Sequence, residues 1–419
     1  MPEWLIIADD LTGANDTGVC FARRGLKTLS ALTTGPTQPA EWQAAEVWVI
    51  STGSRHLPPV AAGAKVAAAI RQTFGQLAGG KGTRIYKKMD SALRGNPAVE
   101  LLAVLEATGA RRALVTPALP AQERAIRGGR AFWKGIPLEQ TEFGPQIVTA
   151  DLVELFSPLG ERYPLKRIDL KTIRLGAAEV ARELLSRERG VWIADAETDE
   201  DLAVLALAAH EAAVEVLCGS AGLANAAART HFMGDRVEIA PPARLSPGGP
   251  VLVIAGSRSP AAIRQVEFAC QQGCQPGCQP GMALVQLPEE TLASGDPAGL
   301  AEWAYEIALR ERADLLLTTA RQPFYASGSQ LVAERLALAA VRLAEQIHPT
   351  GLVLTGGDTA AAVFAALNCR LAWLGGEVEP GVAWGWMSGG DLPGLAVVTK
   401  AGSFGGEGSL VQAVRFLRA

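Results

Sequence analysis

Residues 5–18 read Leu-Ile-Ile-Ala-Asp-Asp-Leu-Thr-Gly-Ala-Asn-Asp-Thr-Gly, and this stretch decides the fold. Its apolar start has the length and branching of a buried parallel strand, and the segment from Thr12 to Arg24 is typical of the helix that follows such a strand. Asp9 and Asp10 therefore fall at the carboxyl end of a strand, the edge where open α/β sheets bind ligands. Because adjacent carboxylates are costly to bury unpaired, we expect them to face a polyhydroxylated substrate, a cation or a Lys/Arg partner. The alternative is that one of them only caps the helix.

Strand-like and helix-like segments alternate through the rest of the first half of the chain. Strand-like runs occur at 4–8, 27–32, 46–52, 84–89, 112–118, 191–195 and 214–218, with helical patterns at 13–24, 58–77, 96–108 and 199–212. This alternation predicts a doubly wound, mostly parallel sheet. Residues 128–141 depart from it, because two short runs flank Lys134-Gly135, and they predict a β-hairpin that projects from the sheet.

Residues 239–250 indicate a domain boundary, because four prolines and two glycines in twelve positions suit neither a helix nor a central strand. The alternation then restarts, with strands predicted at 251–255, 283–287, 315–319, 352–355 and 396–399 and helices at 260–272, 298–312, 328–347, 359–367 and 408–418. A chain of 419 residues also exceeds the size at which a single core keeps growing. We therefore expect an α/β protein of two domains, 1–238 and 251–419, each with a mostly parallel sheet flanked by helices, and the active site in the cleft between them.

The composition is that of an ordinary globular protein, with 48% hydrophobic residues, 20% charged residues and a net charge of −4. Without a basic excess, nucleic-acid binding is disfavoured. No uncharged apolar run reaches the roughly 18 residues that a membrane helix needs, and the N-terminus does not resemble a secretory signal. Together with only six cysteines, these features predict a cytoplasmic protein with free thiols.

A tandem Gly-Cys-Gln-Pro repeat occupies residues 273–280. Cys274 and Cys278, with Cys270 four residues earlier, raise the alternative of a metal site. No further Cys or His lies nearby to complete a tetrahedral zinc site, so the sequence favours a loop with a local duplication.

Candidate anchors for an acidic ligand follow the fourth predicted strand. Side chains alternate along a strand, so Lys88 should point opposite to Lys87 and together with Asp90. Ser91 and Arg94 lie in the loop that follows, where a guanidinium can hold a carboxylate with two hydrogen bonds. Lys88, Ser91 and Arg94 are thus candidate substrate-binding residues, and Asp90 is a candidate acceptor for a hydroxyl proton. The alternative is a structural Lys–Asp ion pair beside an exposed arginine.

Two further features flank this loop. Asn96-Pro97 predicts a helix start with Asn96 as its N-cap, and the free N–H groups of that helix end would suit a carboxylate or phosphate. Arg55 follows the third predicted strand and should emerge at the same sheet edge as Asp10. It is either a substrate contact or a surface arginine.

The second half carries a glycine-rich turn after each of three predicted strands, at 255–260, 355–359 and 400–406. Glycine lets the backbone approach a ligand closely, and a helix N-terminus attracts phosphate. Each turn alone is a weak signal, but three together indicate a nucleotide site, with these expected contacts: Ser257, Gly356, Gly357, Asp358, Thr359 and Gly402. None of the turns matches a P-loop, and no dinucleotide fingerprint follows the first strand.

Four motifs resemble the signatures of the four-carbon acid sugar kinase family. They are Ile7–Gly18, then Lys-Met-Asp-Ser-Ala-Leu-Arg-Gly-Asn at 88–96, Thr-Gly-Gly-Asp-Thr-Ala at 355–360 and Lys-Ala-Gly-Ser-Phe-Gly-Gly at 400–406. The motifs span nearly the whole chain in family order. The resemblance implies an ATP-dependent kinase that forms the 4-phosphate of a sugar acid such as threonate, erythronate or 3-oxo-tetronate. It also supports Arg55 as a substrate contact and Glu377 as a residue of the nucleotide domain.

We therefore expect the acid on the N-terminal domain, bound by Asp9, Asp10, Arg55, Lys88, Asp90, Ser91 and Arg94, and ATP with Mg²⁺ on the C-terminal domain. Glu377 or Asp358 would hold Mg²⁺ through water. Asp10 or Asp90 would accept the hydroxyl proton, with Asp10 preferred. The expected partners are a sugar acid and ATP, with neither nucleic acid nor membrane, and a homo-oligomer is left open. A nicotinamide-dependent sugar-acid dehydrogenase and a non-catalytic sugar-acid sensor are the alternative functions.

Overall fold

The computed structural model describes residues 2–32, 41–76, 82–231, 248–272, 282–286, 314–319 and 329–419, together with isolated positions between 299 and 306. The chain divides into one unit of Met1–Leu29 and Thr34–Val237 and a second unit of Ser30–Thr33 and Glu238–Ala419. Three regions singled out in the sequence fall wholly or largely outside the described residues. They are the linker, of which 239–247 is not described, the cysteine repeat at 273–280 and most of the helix expected at 298–312. The predicted domain limits of 1–238 and 251–419 stay a prediction.

Up to residue 231 the chain alternates strands and helices. The strands are β1 (Trp4–Ala8), β2 (Thr28–Ala31), β3 (Val47–Ser51), β4 (Arg84–Lys88), β5 (Arg112–Thr116), β6 (Arg124–Arg127), β7 (Arg130–Trp133), β8 (Ile136–Pro137), β9 (Leu165–Ile168), β10 (Gly190–Ala194) and β11 (Val216–Gly219). The helices are α1 (Leu11–Ala22), α2 (Glu41–Ala44), α3 (Pro59–Gln76), α4 (Pro97–Thr108), α5 (Leu152–Phe156), α6 (Leu170–Ile173), α7 (Ala177–Leu185), α8 (Asp199–Glu211) and α9 (Ala221–His231).

The large sheet of this region has the strand order β2-β3-β1-β4-β11-β5-β10-β9. From β3 to β9 each neighbouring pair is parallel. Every residue of β1 and β3 is buried, which is why these strands read as continuous apolar runs. The predicted parallel sheet with flanking helices is confirmed. Since β3, β1 and β4 are neighbours, the residues that follow them meet at one edge.

The hairpin expected at 128–141 is part of a separate antiparallel sheet with the order β6-β7-β8. The predicted turn at Lys134-Gly135 is present, and both residues have positive φ, 52° and 77°. The two strands expected around this turn are β7 and β8, which pair antiparallel. The third strand was not predicted, because β6 precedes Gly128 and pairs with β7. Arg124 occupies one of the inward positions of β6 beside the buried Ile126, so the usual apolar alternation is hidden.

The C-terminal region carries a second set of elements after residue 248. They are β12 (Val251–Ala255), α10 (Pro260–Gln272), β13 (Ala283–Gln286), β14 (Leu315–Thr318), α11 (Ser329–Ile347), β15 (Gly351–Thr355), α12 (Gly357–Ala366), β16 (Leu371–Glu379), β17 (Val382–Ser388), β18 (Ala396–Lys400) and α13 (Ser409–Arg418). The strand order is β13-β14-β12-β15-β18-β17-β16, parallel from β13 to β18 and antiparallel for β18-β17-β16. The β16-β17 hairpin was not predicted from the sequence.

The C-terminal sheet is covered by helices α10 and α13. Buried side chains of β12, such as Val251 and Val253, form one core cluster with Val266 of α10 and Leu410 of α13. This core fixes the carboxyl ends of β12, β15 and β18 side by side. Within the described ranges, none of the helices has the length and apolar character that a membrane crossing would need.

Candidate active site

Arg55 joins the two carboxylates that end β1. Its Nε donates to Asp9 Oδ2 at 2.7 Å, its Nη1 donates to Asp10 Oδ2 at 2.7 Å, and its Nη2 lies 3.0 Å from Asp9 Oδ1 and 2.9 Å from Asp10 Oδ1. Arg55 reaches them from the loop after β3, which pairs with β1 in parallel register. The expected cation partner is thus present. Asp10 is also the N-cap of α1 and accepts from the Gly13 N–H at 3.0 Å, so both interpretations of the pair hold.

The charges of this cluster keep its carboxylates ionised. Burial alone would raise the pKa of Asp9, but Arg55 and the lysines Lys87 and Lys88 outweigh burial and hold the pKa below its ordinary value. The same pairing raises the pKa of Arg55 far above the ordinary range for arginine, despite its burial. The pKa of Asp90 is also held well below its usual value, because Arg55 and Arg94 overcome the effect of burial. At neutral pH the edge is therefore a network of full charges.

A buried ion pair lies beneath the cluster. Lys87 Nζ is 2.7 Å from Glu100 Oε2, and both side chains are 1% exposed. Glu100 Oε1 accepts from Ser54 Oγ at 2.6 Å, and Ser54 Oγ is 2.8 Å from Thr52 Oγ1. This network ties the loop after β3 to β4 and α4. Sequence analysis did not predict it, because Glu100 lies within the apolar pattern of a helix.

The loop from Met89 to Asn96 brings Asp90 and Arg94 together. Arg94 Nε donates to Asp90 Oδ2 at 2.5 Å, so Asp90 pairs with Arg94 and the alternative of a Lys–Asp pair is wrong. Lys88 Nζ instead donates to the Met89 carbonyl at 2.9 Å. Lys87 and Lys88 thus have different partners, Glu100 and the Met89 carbonyl, as expected for side chains that alternate along a strand.

Two backbone features shape this loop. Gly95 has φ of 85°, and a Cβ there would lie 3.1 Å from Asp9 Oδ2, so the position requires glycine. Asn96 is the N-cap residue of α4, as predicted, but its side chain makes no cap hydrogen bond and donates from Nδ2 to the Leu57 carbonyl at 2.9 Å. Pro97 is the first residue of α4, as predicted.

Arg124 is a member of this cluster that sequence analysis missed. It lies in β6, its Nη1 donates to Ser91 Oγ, and its guanidinium stands 5.1 Å from the ring of Phe143. The residue is only 7% exposed. The only sequence signal is an arginine at an inward position of a strand. That signal can be recognised only after residues 124–127 have been identified as the strand β6.

The three glycine-rich turns of the C-terminal unit converge, as expected from adjacent parallel strands. Ser259 Oγ, after β12, donates to the Gly402 carbonyl, after β18, at 2.7 Å. A Cβ on Gly402 would lie 2.6 Å from Ser257 Cβ, and one on Gly356 would lie 3.3 Å from the same atom. Gly356 also has φ of 103°. Ser257, Gly356 and Gly402 therefore form a backbone-lined cradle that side chains at the glycine positions would fill.

The first turn of α12 borders this cradle. Gly357 and Asp358 open the helix, and Thr359 Oγ1 would lie 3.4 Å from a Cβ on Gly356. Asp358 is exposed. This helix end directs free N–H groups away from α12, which is the arrangement that phosphate groups favour.

Lys400 and Gln265 fix the turn that follows β18. Lys400 Nζ donates to Thr355 Oγ1 and to the Ala401 carbonyl, each at 3.0 Å, and burial lowers the pKa of Lys400 to about 8 although Glu379 opposes that shift. Gln265 Nε2 lies 3.0 Å from each of three successive carbonyls, those of residues 404–406. The turn is thus anchored by β15 on one side and α10 on the other.

Glu377 lies on the β16-β17 hairpin. Its Oε1 accepts from the Gly381 N–H at 3.3 Å, and a Cβ on Gly381 would meet the ring of Phe404 in the turn after β18. Among the described residues, no group of three or more His, Cys, Asp or Glu could hold a metal ion by itself. Asp358 and Glu377 are oxygen donors of the kind that Mg²⁺ accepts, and Mg²⁺ needs few of them because it keeps several waters.

Comparisons with known proteins match the two parts of the chain to two different domain models. Residues 4–227 match the model of a sugar-binding N-terminal domain, and residues 252–410 match that of a nucleotide-binding C-terminal domain. A D-threonate kinase from Cupriavidus necator is 37% identical over 428 residues, which cover 97% of this chain and 96% of that protein. The chain belongs to the four-carbon acid sugar kinase family.

Other members of the four-carbon acid sugar kinase family match over a similar length. A D-threonate kinase from Salmonella typhimurium is 31% identical over 435 residues, covering 99% of this chain and 98% of that protein. A D-erythronate kinase from Heliobacterium modesticaldum is 30% identical over 444 residues, covering 100% and 97%. These names favour a kinase over the dehydrogenase and sensor alternatives. A crystal structure of a Salmonella typhimurium LT2 protein, 24% identical with a TM-score of 0.80 and 99% coverage of both chains, has the same fold.

Proposed function

We propose that the protein transfers the γ-phosphoryl group of ATP to the 4-hydroxyl of a four-carbon sugar acid. The observation that carries the proposal is the presence of two distinct sites in the two matched halves of the chain. The first is the charged cluster at the edge of β1, β3 and β4, and the second is the glycine-lined cradle after β12, β15 and β18. Residues of the cluster suit a polyhydroxylated anion, and the cradle suits phosphate groups.

In the acid site, Asp10 is the preferred acceptor of the hydroxyl proton. Its side chain is 18% exposed, against 3% for Asp9 and 7% for Asp90, so it is the carboxylate that a bound hydroxyl reaches most easily. Asp9 and Arg55 hold Asp10 in place, and Lys88 contributes a positive charge near the reacting oxygen. Asp90, Ser91 and Arg94 line the remainder of the acid site.

In the nucleotide site, ATP supplies the phosphoryl group, and the chain's contribution is to position it and to neutralise charge. The cradle residues Ser257, Gly356 and Gly402 and the α12 helix end with Gly357, Asp358 and Thr359 would contact the phosphates. Mg²⁺ would be held through water by Asp358 or Glu377. The Gly402 position supports this assignment, because any side chain there would occupy the space next to Ser257.

The test is an ATP-consumption screen of the purified protein with Mg²⁺ against the stereoisomers of threonate and erythronate and against 3-oxo-tetronates. D-Threonate heads the series, because the relatives at 37% and 31% identity are named for it. We expect one acid to be consumed with stoichiometric formation of a 4-phosphate. ADP release that is independent of every acid in the series would contradict the proposal, as would oxidation of an acid with NAD(P)⁺.

A further inference from the structure

The charged cluster of the N-terminal sheet edge contains more cations than carboxylates. Asp9 and Asp10 share Arg55, Asp90 pairs with Arg94, and Glu100 pairs with Lys87. Among the described side chains of the cluster, Lys88 and Arg124 remain without a carboxylate within ion-pair distance. The cluster, taken as Arg55, Lys87, Lys88, Arg94 and Arg124 with Asp9, Asp10, Asp90 and Glu100, therefore carries one positive charge in excess, apart from Glu142, which acts on Arg124 from outside it. A bound monoanion would neutralise it.

Lys88 and Arg124 are both buried, and Arg124 also has a donor atom without a partner among the described residues. It is 7% exposed, and its Nε has no hydrogen-bond partner in the described part of the chain. A buried N–H of a charged group without an acceptor is strongly unfavourable, so the native protein must supply a partner for it, from a bound ligand or an ordered water. Its Nη1 already holds Ser91 Oγ, which keeps the guanidinium against the loop after β4.

The surroundings of Arg124 suit a planar anion. The guanidinium faces the ring of Phe143, and the strongest charges acting on it are those of Asp90 and Arg94, with Glu142 contributing less. Asp90 directly precedes Ser91, the hydrogen-bond partner of Arg124, and Arg55 and Lys88 are among the charges that lower its pKa. Arginine is the residue that grips a carboxylate with two parallel hydrogen bonds.

We propose that Arg124 binds the carboxylate of the sugar acid, together with the hydroxyl of Ser91. This inference rests on the proposed function and refines it, since it assigns the two ends of the substrate. The carboxylate lies at Arg124 and Ser91, and the 4-hydroxyl lies at Asp10 and Lys88. The sequence suggested Arg94 as the anchor of the acid. Its guanidinium already donates to Asp90, so Arg94 acts on the substrate by positioning that carboxylate.

The experiment compares an acid with its uncharged counterpart in Arg124→Met. The probes are the acid preferred in the screen and its primary amide, which keeps every hydroxyl and lacks the negative charge. Affinities come from calorimetry without nucleotide, and kcat and KM come from coupled ADP assays. We expect the acid to bind Arg124→Met on the order of 10- to 100-fold more weakly, mainly through KM, while the amide binds both proteins alike.

The matched control is Arg127→Met. Arg127 lies on the same strand, but it is exposed and pairs with Glu197, so we expect both probes to bind this variant as they bind the wild type. Thermal melting and ATP affinity report whether each variant is folded. If Arg124→Met does not fold, Arg124→Lys keeps the charge without the planar fork and should still lose part of the preference for the acid over the amide.

The inference is overturned if Arg124→Met, or Arg124→Lys in its place, retains the acid-over-amide preference of the wild type. Equal weakening of both probes would also overturn it, because Arg124 would then only pin β6 to the loop. A wild type that phosphorylates none of the acids would instead refute the proposed function. An active wild type with an unaffected Arg124 variant would refute this inference alone.

Discussion

At the scale of single residues, Asp10 uses its two carboxylate oxygens differently. Oδ1 accepts from the Gly13 N–H, which caps α1, and from Arg55 Nη2, whereas Oδ2 accepts from Thr12 Oγ1 at 2.8 Å and from Arg55 Nη1. The sequence could predict both kinds of partner, because a helix start and an adjacent carboxylate are local features. It could not predict that one guanidinium serves Asp9 and Asp10 together, since Arg55 arrives from a loop 45 residues away.

We expect Asp10→Asn to lower kcat by roughly 10²- to 10⁴-fold, because a general base is removed from the reacting hydroxyl. The melting temperature should change little, because asparagine caps a helix as well as aspartate does. Steady-state kinetics and thermal melting measure the two effects. Asp151→Asn is the control, since Asp151 caps α5 outside the cluster. Near-normal turnover in folded Asp10→Asn would refute the role of Asp10 as the base.

Lys400 predicts a pH dependence of nucleotide binding. With a pKa of about 8, its ammonium is charged at pH 7 and becomes neutral as the pH rises toward 9. If the phosphates lie on the turn after β18, the charged form binds them better, so the affinity for ATP should fall across this window. The same coupling requires proton uptake on binding near pH 8.5.

Calorimetry in two buffers of different ionisation enthalpy measures that uptake, which should approach one proton per ATP at most. Lys400→Met should bind ATP more weakly at pH 7 and show no uptake at pH 8.5. Proton uptake that persists unchanged in Lys400→Met would assign the effect to another group.

At the scale of elements, the sequence predicted those strands and helices whose apolar residues recur with a regular spacing. Parallel strands such as β1 and β12 are continuous apolar runs, and their helices have regular spacing. The β6 strand and the β16-β17 hairpin were missed for a different reason. An inward arginine interrupts the pattern of β6, and the alternation of β16-β17 includes glycines, so neither segment resembles a strand in sequence.

The Lys87–Glu100 pair is the contact between β4 and α4 whose loss we expect to be costly. Lys87→Met should lower the free energy of unfolding by about 3–5 kcal/mol, because Glu100 would be left buried without its cationic partner. The double variant Lys87→Met/Glu100→Leu should recover much of that loss, since no buried charge is left. Urea denaturation of the single and double variants measures the coupling. Losses that simply add in the double variant would show that the two side chains do not act as a pair.

At the scale of the whole molecule, the sequence indicated two α/β units because the pattern of elements stops at a proline-rich stretch and restarts. The assignment of chemistry to each unit depended on motifs, since nothing in a parallel sheet by itself distinguishes a sugar site from a nucleotide site. The positions of Arg124 and of the Lys87–Glu100 network required three-dimensional contacts between segments distant in sequence. Those contacts are what periodicity and spacing cannot supply.

Separate ligand sites in the two units predict separable defects. We expect Gly402→Ala to weaken ATP binding by more than tenfold, because the added Cβ would intrude on Ser257, and to leave binding of the acid unchanged. Gly406→Ala is the matched control in the same turn, since a Cβ there would meet nothing within 4 Å. Calorimetry with each ligand on each variant gives the comparison. Loss of acid binding with normal ATP binding in Gly402→Ala would reverse the assignment of the ligands.

The hydrogen bonds of Gln265 determine when the nucleotide turn becomes ordered. Its amide holds the carbonyls of residues 404–406 from α10, so the turn takes its shape as the helix docks during folding. A flexible loop would lose conformational entropy when it becomes ordered around phosphate groups. In this turn that entropy is lost during folding instead. If the nucleotide binds on this turn, as proposed, its association needs no loop-ordering step. Because the three carbonyls are held from α10, any loosening of that helix would loosen the turn with it.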